Sequence, residues 1–313
     1  MMTAAAGGPG QVLIGAPALR ERLASGERTI LLDVRWALGD PHGREHYLAG
    51  HLPGAVYVDL ESQLAAPGSA ARGRHPLPDP AAFEQAARGW GIDDGDTVVA
   101  YDAVGGMSAA RLWWLLRDGG MARCYLLDGG LAAWQAAGGP LESGDVRPAP
   151  GAVRLVPGQM PVLALEDVAD FARTQLLFDA RAAERYRGET EPVDPKAGHI
   201  PGAVSAPTAA NLQADGRFLP AEDLVERFRR LGAGPAGTGA GKQVAVYCGS
   251  GITAAHEVAA LAQAGIEAAL YPGSWSQWSN QPGLPVATGN EPGGSTAAGG
   301  QWQASGGAGS VGA

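Results

Sequence analysis

The chain has 313 residues, 45% hydrophobic and 18% charged, with a mean hydropathy of -0.06, which is enough apolar material for soluble cores and a length that suits two domains of about 150 residues each. A net charge of -9 argues against a surface built to neutralise nucleic-acid phosphates, and no run approaches the about 18 to 20 apolar residues of a membrane helix. The two cysteines, Cys124 and Cys248, can build neither a disulfide framework nor a four-thiolate zinc site, which leaves thiol chemistry.

The opening stretch MMTAAAGGPG has no cationic n-region and no apolar run, and the first charge is Arg20. A cytoplasmic chain with flexible residues 1–9 is therefore expected. In the first half, β-rich runs at Thr29–Val34, Thr97–Tyr101 and Cys124–Leu127 alternate with helical patterns at Ala81–Trp90 and Ser108–Arg117. The second half repeats the scheme, with strands expected at Leu176–Asp179, Gln243–Tyr247 and Ala268–Tyr271. Its helices are expected at Ala221–Leu231 and Thr253–Ala264, the last stopped by Gly265. Strands separated by helices predict a parallel sheet flanked by helices.

The repetition extends to the letters. Leu32-Asp33-Val34-Arg35 returns as Phe178-Asp179-Ala180-Arg181, and Gly50-His51-Leu52-Pro53-Gly54-Ala55-Val56 as Gly198-His199-Ile200-Pro201-Gly202-Ala203-Val204. Val98-Val99-Ala100-Tyr101-Asp102 aligns with Val244-Ala245-Val246-Tyr247-Cys248, and Trp134 with Trp278. A period of this size is a duplicated domain. We expect one domain over 10–141, a Pro- and Gly-rich linker over 142–160, a second domain over 161–288 and a disordered Gly/Ser/Ala-rich tail over 289–313.

The copies differ where the second of these strands ends. Cys248 stands there in the second copy, followed by Gly249-Ser250-Gly251-Ile252-Thr253 leading into a helix; the first copy has Asp102. In parallel α/β sheets ligands bind beyond the carboxyl ends of the strands. Two glycines let the backbone curl so that N–H groups and the helix N-terminus converge on a thiolate or persulfide. A buried structural thiol is the plain alternative for Cys248 and the preferred reading for Cys124, which has no such loop.

The loop, the paired Gly-His-x-Pro-Gly-Ala segments and Asp179-Ala180-Arg181 with Arg185-Tyr186-Arg187-Gly188 together resemble the two-domain rhodanese-type sulfurtransferases, in particular the 3-mercaptopyruvate/thiosulfate branch, over roughly residues 10 to 288. The resemblance implies two tandem α/β domains, the first catalytically silent. It also implies a Cys248 persulfide cradled by Gly249, Ser250, Gly251, Ile252 and Thr253. Arg185 matches the family's substrate-binding arginine, and a guanidinium suits an anionic sulfur donor. The family also implies a relay of Ser250, His75 and Glu61, the last two reaching across from the first domain. Thr190–Lys196 lacks the second arginine of the animal mercaptopyruvate enzymes. The loop lacks the cations of thiosulfate-specialised relatives, so a monoanionic carboxylate donor is favoured.

The expected acceptor is cyanide, a thiol or a thioredoxin-like reductant, with neither metal nor organic cofactor, nucleic acid nor membrane involved. Competing readings are a non-catalytic sulfur carrier or interaction module and a thiol redox sensor. His51 and His199 recur in both copies and read as structural turns, and His256 reads as a helix-face residue. Gly239-Ala240-Gly241-Lys242 imitates a phosphate loop but lacks its upstream glycine and its Ser/Thr. A cysteine phosphatase would need an arginine where Ala254 stands.

Overall fold

The computed structural model describes residues 11–235 and 241–296; residues 1–9, Gly239-Ala240 of the phosphate-loop imitation and residues 297–313 of the expected tail lie outside them. The first half holds β1 (Leu13–Ile14), β2 (Thr29–Asp33), β3 (Val56–Tyr57), β4 (Thr97–Tyr101) and β5 (Cys124–Leu127), in spatial order β1-β5-β4-β2-β3 and all paired in parallel. The second half holds β6 (Leu176–Asp179), β7 (Val204–Ser205), β8 (Val244–Tyr247) and β9 (Ala268–Leu270), in the order β7-β6-β8-β9, again parallel. A single parallel bridge from Val162 to Leu270 stands where β1 does in the first sheet.

β4 and β8 are the central strands, and every residue of both is buried, as a strand covered by helices on both faces requires. The halves match in detail. Asp33 pairs with Tyr101 and Asp179 with Tyr247 across the sheets, and each tyrosine hydroxyl accepts the N–H of the residue after the repeated histidine, Leu52 or Ile200. Arg35 and Arg181 each clamp the aspartate two residues before them and the carbonyl of the glycine before that histidine.

Helices follow from local signals. Asp79 accepts from Ala81 and Ala82 N–H and Pro80 opens the helix Pro80–Gly89, where a missing N–H does no harm. Ala221–Arg230 buries Leu224 and Phe228 on one face, with Glu222 and Asp223 in its first turn and Arg227, Arg229 and Arg230 in its last, matching the helix dipole. The helices Ala109–Asp118 and Ile252–Gln263, one from each half, pack against each other and make the core continuous between the halves. Fully buried Leu112, Leu116, Ala255 and Leu261 lie in it, each leucine stabilising the fold by about 1.5 to 3 kcal/mol.

Two segments differ from expectation. Residues 289–296 are ordered: β10 (Ala287–Thr288) pairs antiparallel with β11 (Ser295–Thr296), and Gly202 N–H donates to Pro292 O. The segment 142–160 has no helix or longer strand, but it is packed. Val153 and Leu155 are buried and Val153 N–H donates to Ile92 O, because proline and glycine break regular structure without preventing apolar side chains from docking.

Candidate active site

Cys248 follows β8 directly, 2% exposed, and the helix Ile252–Gln263 begins four residues later. Gly251 turns the chain at φ +83°, and a Cβ there would stand 2.4 Å from Pro272 O, so only glycine fits. Its N–H donates to Cys248 Sγ at 3.1 Å. The loop is fastened from behind by the helix Ser274–Trp278: Trp275 N–H donates to Cys248 O, Ser276 N–H to Gly249 O, and Ser274 Oγ accepts from Cys248 N–H. Ser274 holds φ +54°, the one non-glycine at positive φ among the described residues, and its hydroxyl also donates to Tyr271 O. That strain sits where it fixes the cysteine backbone.

From the first half, the loop carrying Arg74 and His75 lies over the helix Ser274–Trp278. Arg74 N–H donates to Ser276 Oγ, and Gln277 and Gln281 side chains donate to Ala71 and Ala70 carbonyls. His75 is buried, with Nδ1 2.8 Å from Ser250 Oγ and Nε2 3.1 Å from Glu61 Oε2. A carboxylate only accepts, so Nε2 carries the proton and Nδ1 is free to accept from the Ser250 hydroxyl. Trp36 Nε1–H donates to Glu61 Oε1, and the Trp36 ring stands edge-on to the imidazole. Burial holds the His75 pKa below its ordinary value against the opposing pull of Glu61, so the ring is neutral at pH 7 and can take a proton.

Arg185 enters from the helix Ala183–Arg187. Its Nη2 pairs with Glu191 Oε1 at 2.6 Å and Asp194 Oδ2 at 3.5 Å, and Arg74 Nη1 pairs with Asp194 Oδ1. Both carboxylates are buried, and burial pushes the Asp194 pKa up. They aim the guanidiniums: a Cβ on Gly249 would stand 3.1 Å from Arg74 Nη2 and 3.3 Å from Arg185 Nη1. Arg74 Nη2 and Arg185 Nη1 are outside those ion pairs and point at the peptide beside the thiol. The cleft there encloses about 250 Å³, with Leu38 and Met107 of the first half and Thr208 of the second on its walls.

The rhodanese-like domain family matches this chain twice, over residues 16–137 and 164–281. The chain belongs to the rhodanese family. Its relatives include the Mycobacterium tuberculosis protein SseB, a thiosulfate sulfurtransferase by name, 45% identical over 285 residues that cover 90% of this chain and 98% of that one. A Pseudomonas aeruginosa protein named for 3-mercaptopyruvate sulfurtransfer is 46% identical over 293 residues, covering 89% and 98%. The crystal structure of SseA, a 3-mercaptopyruvate enzyme of Escherichia coli, superposes with a TM-score of 0.73 at 32% identity, covering 85% of this chain and 99% of that one. Both halves are thus rhodanese-like domains.

Within the first rhodanese-like domain the position of the thiol is filled by Asp102. Its Oδ1 accepts from Val104 and Gly106 N–H and its Oδ2 from Ser108 and Ala109 N–H, all at 2.8 to 2.9 Å. The remaining sequence candidates fall away from the sulfur. His51 and His199 are buried, stacked on Tyr47 and Tyr186, with Nδ1 against the carbonyl of that same tyrosine. His256 lies on a face of its helix and is fully buried, because that helix packs on the other domain. Its Nδ1 lies 2.7 Å from Thr208 Oγ1 and its Nε2 3.2 Å from Gly105 O, and burial pushes its pKa down to about 4. Cys124 is buried, its thiol pushed up to about 12.

Sequence reading missed Arg74. Thr190–Lys196 supplies no second arginine; the first rhodanese-like domain does. The signal was its place beside His75, which alone said nothing about the contact.

Proposed function

We propose that this rhodanese is a sulfurtransferase that takes sulfur from 3-mercaptopyruvate in preference to thiosulfate and carries it as a Cys248 persulfide. The observation that carries the donor preference is the 2.8 Å contact between His75 Nδ1 and Ser250 Oγ beside the thiol loop. Cys248 thiolate attacks the donor sulfur, a new S–S bond forms and the C–S bond breaks, and its electrons leave on the pyruvate enolate. That carbanion needs a proton: the donor's thiol proton passes through the Ser250 hydroxyl to His75 Nδ1, Glu61 stabilises the imidazolium, and the proton returns by the same hydroxyl to the carbanion. Sulfite, leaving thiosulfate, departs as a stable anion and needs none. The unpaired N–H edges of Arg74 and Arg185 hold the donor carboxylate. Because Glu191 and Asp194 already match these two cations, a monoanion suits the cleft better than a dianion.

A second step passes the terminal sulfur to cyanide, a small thiol or a thioredoxin-like protein and restores the thiolate. No helix among the described residues is long and apolar enough to cross a membrane, and a cytoplasmic site suits two cysteines that stand as free thiols. The test is thiocyanate formation from cyanide with each donor, using wild type, Cys248→Ser and Ser250→Ala. Cys248→Ser is inactive with both. Ser250→Ala lowers kcat about 10²-fold with 3-mercaptopyruvate, the scale of general acid–base catalysis, and leaves thiosulfate turnover nearly unchanged. Equal losses with both donors, or a wild type that prefers thiosulfate, would overturn the donor assignment.

A further inference from the structure

Arg111 lies in the helix Ala109–Asp118 of the first domain and is fully buried. Its guanidinium donates only to carbonyls: Nε to Leu64 O at 3.2 Å, Nη2 to His75 O at 3.1 Å and Pro76 O at 3.2 Å, and Nη1 to Gly251 O at 3.3 Å. Among the described residues no carboxylate pairs with it. Carbonyls satisfy N–H groups but leave the charge unmatched, and an unmatched buried cation is strongly unfavourable. Burial pushes its pKa down to about 10, and the negative charge of Cys248 opposes that drop. At neutral pH it is therefore a cation.

Its position is as informative as its charge. Gly251, whose carbonyl it holds, is the residue whose N–H donates to Cys248 Sγ, and His75 and Pro76, whose carbonyls it also holds, carry the imidazole of the relay. On the cleft side, the charged groups near the thiol are Arg74 and Arg185, matched by Asp194 and Glu191, Arg181, matched by Asp179, and His75 with Glu61. Behind the loop, Arg111 holds Gly251 O, and among the described residues it has no carboxylate partner there.

We propose that Arg111 is the buried counter-ion of the Cys248 thiolate and of the persulfide that replaces it, a positioning residue that the silent domain contributes through Gly251. The assignment rests on Cys248 being the nucleophile of the proposed function. It gives the first domain a part in stabilising the sulfur itself, beyond supplying His75 and Arg74.

The test is the rate of Cys248 alkylation by iodoacetamide across pH in wild type, Arg111→Gln and Arg111→Lys, with Cys248→Ser as blank; Cys124 is buried and stays silent. Arg111→Gln keeps hydrogen-bond donors and removes the charge. It slows alkylation at neutral pH by about tenfold and moves the profile to higher pH by about one unit, the shift to which a tenfold change corresponds. Arg111→Lys keeps the charge and recovers most of the rate. Alkylation of Arg111→Gln at the wild-type rate, equal slowing in both variants, or loss of the native fold in both would overturn the proposal. A wild type with this dependence that turned over neither donor would instead overturn the proposed function and leave the counter-ion standing.

Discussion

In the second domain Cys248 follows a central strand directly and a helix starts at Ile252; in the first, Asp102 follows the equivalent strand and the helix starts only at Ala109. Both loops gather backbone N–H groups beyond the strand end. In the first domain a carboxylate belonging to the chain takes four of them and fills the nest permanently. In the second, a sulfur takes Gly251 N–H and leaves room in a cleft. The fold offers an anion site in each copy, and the copies differ in whether the anion is built in or delivered as cargo.

The largest break in that comparison is Cys248→Asp, which places the first domain's residue in the second domain's loop. Thiocyanate formation with either donor is expected to vanish while circular dichroism stays that of the wild type. Retained turnover would mean that sulfur is carried elsewhere. A smaller effect comes from the other side. Asp102→Ala strands four N–H donors, three of them buried, so the denaturant midpoint falls by an amount equivalent to about 3 kcal/mol or more, with kcat per folded molecule unchanged. A stable but inactive Asp102→Ala would give the first domain's nest a chemical part.

The smallest effect concerns the helices after the two nests, which carry Trp113 and Trp114 in the first domain and His256 and Glu257 in the second. Glu257 is fully buried, hydrogen-bonded to Asn211 Nδ2 at 2.6 Å, and burial pushes its pKa up from 4.5 to about 7. The folded state favours its protonated form. That stability is present below pH 4.5 and is lost as pH rises through about 7. Glu257→Gln removes this loss, so its unfolding midpoint relative to wild type improves between about pH 5 and about pH 8. Parallel pH profiles for the two proteins would refute the assignment.

What the sequence disclosed and what it withheld divide along the same physical line. Strand β8, Cys248, two glycines and a helix form one contiguous stretch, and local backbone chemistry dictates its conformation. The duplicated letters gave each domain's sheet for the same reason, since Asp33 with Arg35 and Asp179 with Arg181 interact within three residues. Arg74 and Arg111 act only because the first domain docks on the second, and no spacing along the chain encodes that contact. The tail was drawn too early because Gly and Ser dominate its composition, while β10 and β11 pair through backbone groups that composition does not record.

Cys248 lies deep in its cleft, and Leu38, 64% exposed, stands at the rim. Access to the proposed persulfide is therefore a question of slenderness. Cyanide, a rod of two atoms, and a cysteine on the tip of a projecting loop can reach the sulfur, whereas a thiol set flush in a broad protein surface meets the rim first. On that proposal, the depth that shields the persulfide from water also sorts acceptors by reach before their chemistry comes into play.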